Sequence, residues 1–263
     1  MSKSDFDHLH LHSQYSLLDG ANRLDDVIGT AVSMGMPAVA LTDHGNMFGA
    51  IELYTRCKAA GIKPIVGVEA YVAQGSRLDR TPGKGSSNHL VLLAKNETGY
   101  RNLLKLTSSA YLEGFYYKPR IDKALLRQHS EGLIGLSACL KGEINEKIVG
   151  NLEKEAEATA RDFLEIFGEG SFYLEMQDHG IPEQRLANEV LRRISRRTGI
   201  PLVVSNDCHY LAQSDAVGGK NCNHGGAVSE AAKKLNAPTA KSATNDSACT
   251  SSTDSPARNA SAR

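Results

Sequence analysis

Residues 6–20 read FDHLHLHSQYSLLDG, an alternation of apolar residues and histidines that runs into a turn. In an extended chain the side chains at i and i+2 share a face. His10 and His12 are therefore expected to point at one place, with Asp19 returning to it after the turn. A cluster of imidazole and carboxylate groups is costly to bury unless a cation or a hydrogen bond satisfies it, and a transition metal does so well. Strand-end histidines with backbone partners are the plainer alternative for a single His-x-His pair.

Outward from this stretch, short apolar runs alternate with helical patterns. Residues 24–35 carry Leu24, Val27, Ile28, Ala31 and Val32 at the spacing of a one-faced helix, and Gly35 closes it. AVALT at 38–42 reads as a strand that stops at Asp43-His44-Gly45, and 48–60 as a helix. IKPIVGVEAYV at 62–72 is a strand carrying Glu69 in an apolar setting, where a carboxylate needs a partner. After a polar excursion over 73–87, NHLVLLA at 88–94 returns as a strand with His89 at its beginning. Helices are expected over 97–111 and 121–129, strands over 132–138 (ending at Cys139) and 172–177, and helices over 151–167 and 182–198. Arg192, Arg193, Arg196 and Arg197 on the last of these read as a solvated face rather than a nucleic-acid patch. PLVVS at 201–205 is the final strand and runs into Asn206-Asp207-Cys208-His209.

Apolar strands each followed by helix or loop imply an α/β fold with a parallel sheet covered by helices. Potential ligands recur at strand ends all the way along the chain, which favours a closed or distorted (β/α)7 barrel over an open sheet with a single crevice. After Leu211 the composition changes. Residues 212–263 contain one Leu and no Ile, Met, Phe, Tyr or Trp, too little apolar surface to offset ordering entropy, so a disordered tail is expected. Its Cys222-Asn223-His224 group is not expected to hold a metal.

The 263 residues carry 30 basic and 30 acidic side chains, so no global charge draws the chain to nucleic acid or to a membrane. The five cysteines are odd in number, scattered and without a CxxC pair, as in a reducing cytoplasm. Neither a signal-peptide h-region nor an apolar stretch of membrane-spanning length is present in the sequence given.

Taken together, HxH with Ser13 and Asp19-Gly20, TDHG at 42–45, GVEAYV at 67–72, NHL at 88–90, SACL at 137–140 and NDCHYL at 206–211 resemble the PHP domain, named for polymerase and histidinol phosphatase. HSQYSLLDGA, ALTDHGNMFGA, LAKNETGYRNLLKL, YYKPRID and LSACLKGEI are similar to the copy at the N-terminus of the bacterial replicative DNA polymerase III alpha subunit. The resemblance covers about residues 5–211. It implies a PHP domain over 1–211, a trinuclear metal centre, and the ligands His10, His12, Asp19, His44, Glu69, His89, Cys139, Asp207 and His209. Mixed imidazole, carboxylate and thiolate donors suit zinc, with manganese or iron as other candidates. Such ions activate a bound water for phosphoester hydrolysis. In polymerase-associated members the implied activity is 3′–5′ exonuclease proofreading on DNA 3′ ends, with the rest of the polymerase and the replisome as partners.

Arg120, Lys118 and Tyr15 are candidate phosphate contacts, with an ordinary salt bridge or a core tyrosine as the equal alternative, and Asp43 is a candidate acceptor that orients a ligand. His8, His129 and His179 are expected to be structural. Two other readings accompany this one: a catalytically silent module that stabilises the polymerase, and a stand-alone histidinol-phosphatase-like enzyme. The change after Leu211 further suggests a truncated or out-of-frame gene, with no polymerase activity of its own and an uncovered barrel edge.

Overall fold

The computed structural model describes residues 6–83, 86–212 and 215. The expected tail after Leu211, with Cys222 and His224, lies outside the described residues apart from residues 212 and 215. Seven helices and seven strands follow one another: α1 Leu24–Ser33, β1 Ala38–Leu41, α2 Ala50–Ala60, β2 Lys63–Ala73, β3 Ser87–Ala94, α3 Glu97–Leu112, β4 Arg120–Ile121, α4 Lys123–Gln128, β5 Leu133–Leu136, α5 Glu143–Val149, α6 Glu153–Phe167, β6 Phe172–Met176, α7 Pro182–Thr198 and β7 Leu202–Val204. The local causes are ordinary. Asn96 and Asp122 cap α3 and α4 by accepting from the Gly99 and Leu125 amides, and Pro182 opens α7 where its missing N–H costs nothing. Gly61 and Gly199 end α2 and α7 in the left-handed conformation that glycine adopts without penalty.

The sheet runs β1-β2-β3-β5-β6-β7, with β4 paired to β2. It curls so that its two ends meet across the opening stretch. His8 O accepts from the Ala40 amide and Leu11 O from that of Thr42, while on the other side His10 O accepts from Cys208 N–H and the His12 amide donates to Cys208 O. The HLH segment is therefore a bridging ribbon rather than a regular strand; its pairing is limited to isolated bridges, Leu11 with Cys208 and Ser13 with Asn22. The expected barrel is thus present in distorted form, with β4 as the added short strand.

The parallel sheet requires correction, because β3 runs antiparallel to both β2 and β5. A 73–87 excursion without a crossover helix returns the chain along the neighbouring strand as a hairpin does. The reversal explains His89: the N-terminal end of an antiparallel strand lies beside the C-terminal ends of parallel ones.

Period-two burial sorts the strand residues into two layers. Val39 and Leu41 pack outward against Leu24, Val27, Ile28 and Leu53. Leu90 and Leu92 pack outward against α3, α4 and their neighbours. Ala40, Val91, Leu93, Leu136 and Ala138 fill the interior as a small apolar plug. Glu69 pairs in register with Val91, and His89 is two residues from it, so both belong to the inward-facing set. The polar side chains at the rim are a continuation of the plug.

Candidate metal centre

All nine residues that the resemblance implies as ligands converge on this rim, although the chain delivers them from widely separated positions. Glu69 is the hub and is 1% exposed. Its Oε1 lies 3.2 Å from His10 Nε2 and 2.8 Å from His89 Nδ1, and its Oε2 lies 2.6 Å from His44 Nδ1 and 3.7 Å from His12 Nε2. Asp207 Oδ1 is a second meeting point, 3.2 Å from each of the Nε2 atoms of His10, His12 and His209. Asp19 Oδ2 stands 3.2 Å from His44 Nε2, and its Oδ1 3.7 Å from His209 Nδ1. Cys139 Sγ closes the ring at 3.7 Å from His89 Nδ1 and 3.9 Å from Glu69 Oε1.

Two backbone distortions aim these groups. Ala138 and Asp207 adopt positive φ, 63° and 47°. Left-handed backbone is uncommon for non-glycine residues and persists where surrounding structure imposes it. One distortion turns Cys139 and the other turns the Asp207 carboxylate into the cluster.

The donor atoms fit a cation. His10 Nε2, His12 Nε2, Asp19 Oδ1, His44 Nδ1, Glu69 Oε2, Asp207 Oδ1 and His209 Nδ1 are buried and make no hydrogen bond. Buried polar atoms are ordinarily satisfied, and these have chiefly one another, as His44 Nδ1 has Glu69 Oε2; a shared cation would satisfy them together. Three triplets have ligand atoms close enough together to hold an ion: His12, His44 and His209; His10, His12 and Glu69; His44, Glu69 and His89. The donor set of imidazole, carboxylate and thiolate is one that zinc, iron or manganese accepts.

Protonation follows the same crowding. Burial drives His12 down to about 3, aided by the neighbouring His209 and His44 rings. Burial also opposes charge on His44, but Glu69 and Asp19 overcome it and raise that ring to about 10. His209 is raised by Asp207 against burial. Glu69 and Asp207 are held well below the usual carboxylate range, because surrounding histidines outweigh the burial that would raise them. Burial and the Glu69 charge push the Cys139 thiol up.

Behind the cluster lie residues that hold the rings. Asp43 accepts from the Ser13 amide at 2.7 Å, from Ser13 Oγ at 2.8 Å and from Ser16 Oγ at 2.7 Å. Ser16 Oγ in turn lies 3.0 Å from His12 Nδ1. Asp43 therefore reaches His12 through a hydroxyl that the sequence did not single out. Glu175 and Tyr71 were missed as well. Glu175 is a carboxylate inside the apolar strand FYLEM, the same signal that marked Glu69. Tyr71 packs its ring 5.2 Å from that of His89 and 6.0 Å from that of His44.

The three candidate phosphate contacts separate. Lys118 is exposed, with Nζ 4.2 Å from the Tyr71 ring centroid, one ring away from the ligands. Tyr15 donates its hydroxyl to Glu52 Oε2 on α2 at 2.8 Å. Arg120 is fully buried and donates to the carbonyls of Gly114, Arg77 and Asp79, so it is a structural cation and not a phosphate contact.

Two of the histidines expected to be structural, His8 and His179, have partners of their own. His179 lies with Nε2 2.7 Å from Asn206 O and Nδ1 2.9 Å from the Gln184 amide nitrogen, which steadies the turn before Asp207. His8 Nδ1 lies 3.2 Å from Cys208 Sγ, and His129 ends α4. On α7, Arg193 and Arg197 pair with Glu153 and Glu157 of α6, as a solvated face does.

The family model for the PHP domain matches residues 8–179, a span that takes in His10, His12, Asp19, His44, Glu69, His89 and Cys139. The chain belongs to the PHP domain family. This PHP domain is 51% identical over 219 residues to DNA polymerase III subunit alpha of Treponema pallidum (strain Nichols), covering 82% of this chain and 19% of that protein. It is 53% identical over 216 residues to the same subunit of Borreliella burgdorferi, covering 81% of this chain and 19% of that protein. The chain thus spans about a fifth of the length of the curated relatives it matches. An amidohydrolase structure from Chromobacterium violaceum aligns with the PHP domain over 77% of this chain and 87% of the other at 14% identity. The TM-score is 0.48. No helix among the described residues is long and apolar enough to cross a membrane.

Proposed function

We propose that this PHP domain is a metal-dependent phosphoesterase of a bacterial DNA polymerase III alpha subunit, acting as a 3′–5′ exonuclease on DNA ends in the cytoplasm. The observation that carries the reading is the set of seven mutually facing, buried and unbonded donor atoms on His10, His12, Asp19, His44, Glu69, Asp207 and His209. With His89 and Cys139 they form a ligand set for as many as three divalent ions, zinc first among them. Divalent ions bound there supply Lewis acidity, toward water and toward charge developing on phosphoryl oxygens.

The protein's own groups do the rest. Glu69 and Asp207 neutralise cationic charge at the floor of the site, and the apolar plug beneath excludes water from that side. Lys118 offers an exposed ammonium at the rim, suited to a phosphate oxygen. DNA polymerisation, the activity in the relatives' name, is not assigned to these residues, because the chemistry they gather is hydrolytic. The remaining polymerase and replisome subunits are the partners this reading implies.

The test is hydrolysis of a 5′-labelled oligonucleotide, single-stranded or with a mispaired 3′ end, beside a phosphomonoester. Stepwise shortening from the 3′ end that EDTA abolishes and added metal restores is the expected result. Cleavage of the monoester alone would transfer the site to a small-molecule phosphatase, and no cleavage by a metal-loaded protein would reduce it to a structural module.

A further inference from the structure

Glu175 lies one residue before the end of β6, is 1% exposed, and belongs to none of the nine candidate ligand positions. Its Oε1 accepts from His10 Nδ1 at 2.7 Å, from Gln177 Nε2 at 3.1 Å and from Ser205 Oγ. Its backbone amide donates to Ser137 Oγ at 2.8 Å, which anchors the strand at that point. Its Oε2 is buried without a hydrogen bond. A buried carboxylate is costly to desolvate, and a structure keeps one only where a partner offsets that cost. Here the partner is the His10 ring.

We propose that Glu175 is a positioning residue of the metal centre, holding the Nδ1–H of His10 so that Nε2, on the side of Asp207 Oδ1 and Glu69 Oε1, is the nitrogen left to bind a cation. Both ring nitrogens meet carboxylates, and the shorter contact, 2.7 Å against 3.2 Å, is on Nδ1. His10 Nε2 is one of the unbonded atoms of the cluster and lies 3.2 Å from each of those oxygens. The opposite nitrogen makes the short contact to Glu175, and the Gln177 amide, at 3.5 Å from the same nitrogen, is the weaker neighbour. A carboxylate on the far nitrogen both orients a metal-binding imidazole and raises its basicity. His12 is seated differently, on the hydroxyl of Ser16 at 3.0 Å, so the two rings of the HLH pair have unequal supports. His10 is the ring with an anionic one.

The inference rests on the reading of the cluster as a metal centre, and the experiment separates the two. Zinc affinity of the full chain is measured by competition with a chromogenic chelator for the native protein, Glu175→Gln and Glu175→Ala. Thermal unfolding of the metal-free forms is recorded alongside. The alanine variant is expected to bind its tightest zinc about 10–100-fold more weakly, with glutamine, which keeps shape and an acceptor but not charge, in between. In long-range 1H–15N spectra of the zinc-loaded native protein, His10 is expected to carry its proton on Nδ1. Should Glu175→Ala fail to fold, Glu175→Gln and the native tautomer decide. Affinities within twofold of native in the folded variants, whatever their unfolding midpoints, or a proton on Nε2, would overturn the positioning role alone. A native chain that binds no zinc, manganese or iron would overturn the metal centre and this role with it.

Discussion

Asp207 Oδ1 and His10 Nε2 lie 3.2 Å apart, although one residue comes from the start of the described chain and the other from its last strand end. The contact is made by the ribbon that closes the sheet, since Cys208 N–H donates to His10 O immediately beside it. Closure of the fold and assembly of the site are one event. Disturbing either side of this seam should therefore reach the metal first.

Asp207 is held at a φ of 47°, where asparagine is tolerated and alanine is strained. Asp207→Asn is expected to fold, since it keeps the backbone turn, while losing metal and the stability that the carboxylate draws from its histidine neighbours in the metal-free form. Asp207→Ala should lose the metal and in addition about 1–2 kcal/mol of stability from the left-handed backbone. Metal content by inductively coupled plasma mass spectrometry, with denaturant unfolding of metal-free protein, checks both. Native metal content in Asp207→Asn would remove Asp207 from the ligand set.

Metal binding should release protons. In the metal-free protein His44, raised to about 10, is charged at neutral pH, and a ligand nitrogen must shed its proton to bind. Apparent affinity is thus expected to rise with pH up to about 10. The stability that the raised His44 contributes to the metal-free fold has the opposite sense: it is complete below the unfolded value near 6.5 and is lost as pH climbs through about 10. Calorimetric titration in buffers of different ionisation enthalpy measures the released protons, and zero release at pH 7 would contradict the assignment.

Lys118 stands exposed over Tyr71. Lys118→Ala is expected to raise KM for an oligonucleotide several-fold, with kcat, metal content and the unfolding midpoint close to native. An unchanged KM at low salt would assign the ammonium to its aromatic neighbour only.

Arg120 holds three backbone carbonyls from inside the core. Arg120→Met should cost about 3–5 kcal/mol, because it strands buried acceptors that a charged donor satisfied. The protein that remains folded should hydrolyse with native KM. A raised KM at native stability would restore Arg120 to the phosphate site.

Much of this was legible in the residues themselves. The period of the apolar positions marks α1, α3 and α7 to within a residue or two. A carboxylate or histidine in an apolar run announces itself by the cost of burying it, and on that ground Glu69 stood out. Glu175 obeys the same rule and went unremarked, since nothing local says which ring it will meet. The short helix α5 was also overlooked, because seven residues carry too little periodicity to be told from a loop.

Only the tertiary structure decided the rest. Strand direction is a matter of connection and pairing, so the antiparallel course of β3, and with it the arrival of His89 at the rim, could not be read from its alternating pattern. The role of Arg120 turned on burial, which depends on what packs over a side chain rather than on the side chain. The sequence by itself determined which residue types stand at the strand ends and that they suit a metal, because side-chain chemistry and local periodicity are properties of the chain. Which of them meet, through which atoms and over what supports, was decided by contacts between segments far apart in sequence, whose geometry no local pattern encodes.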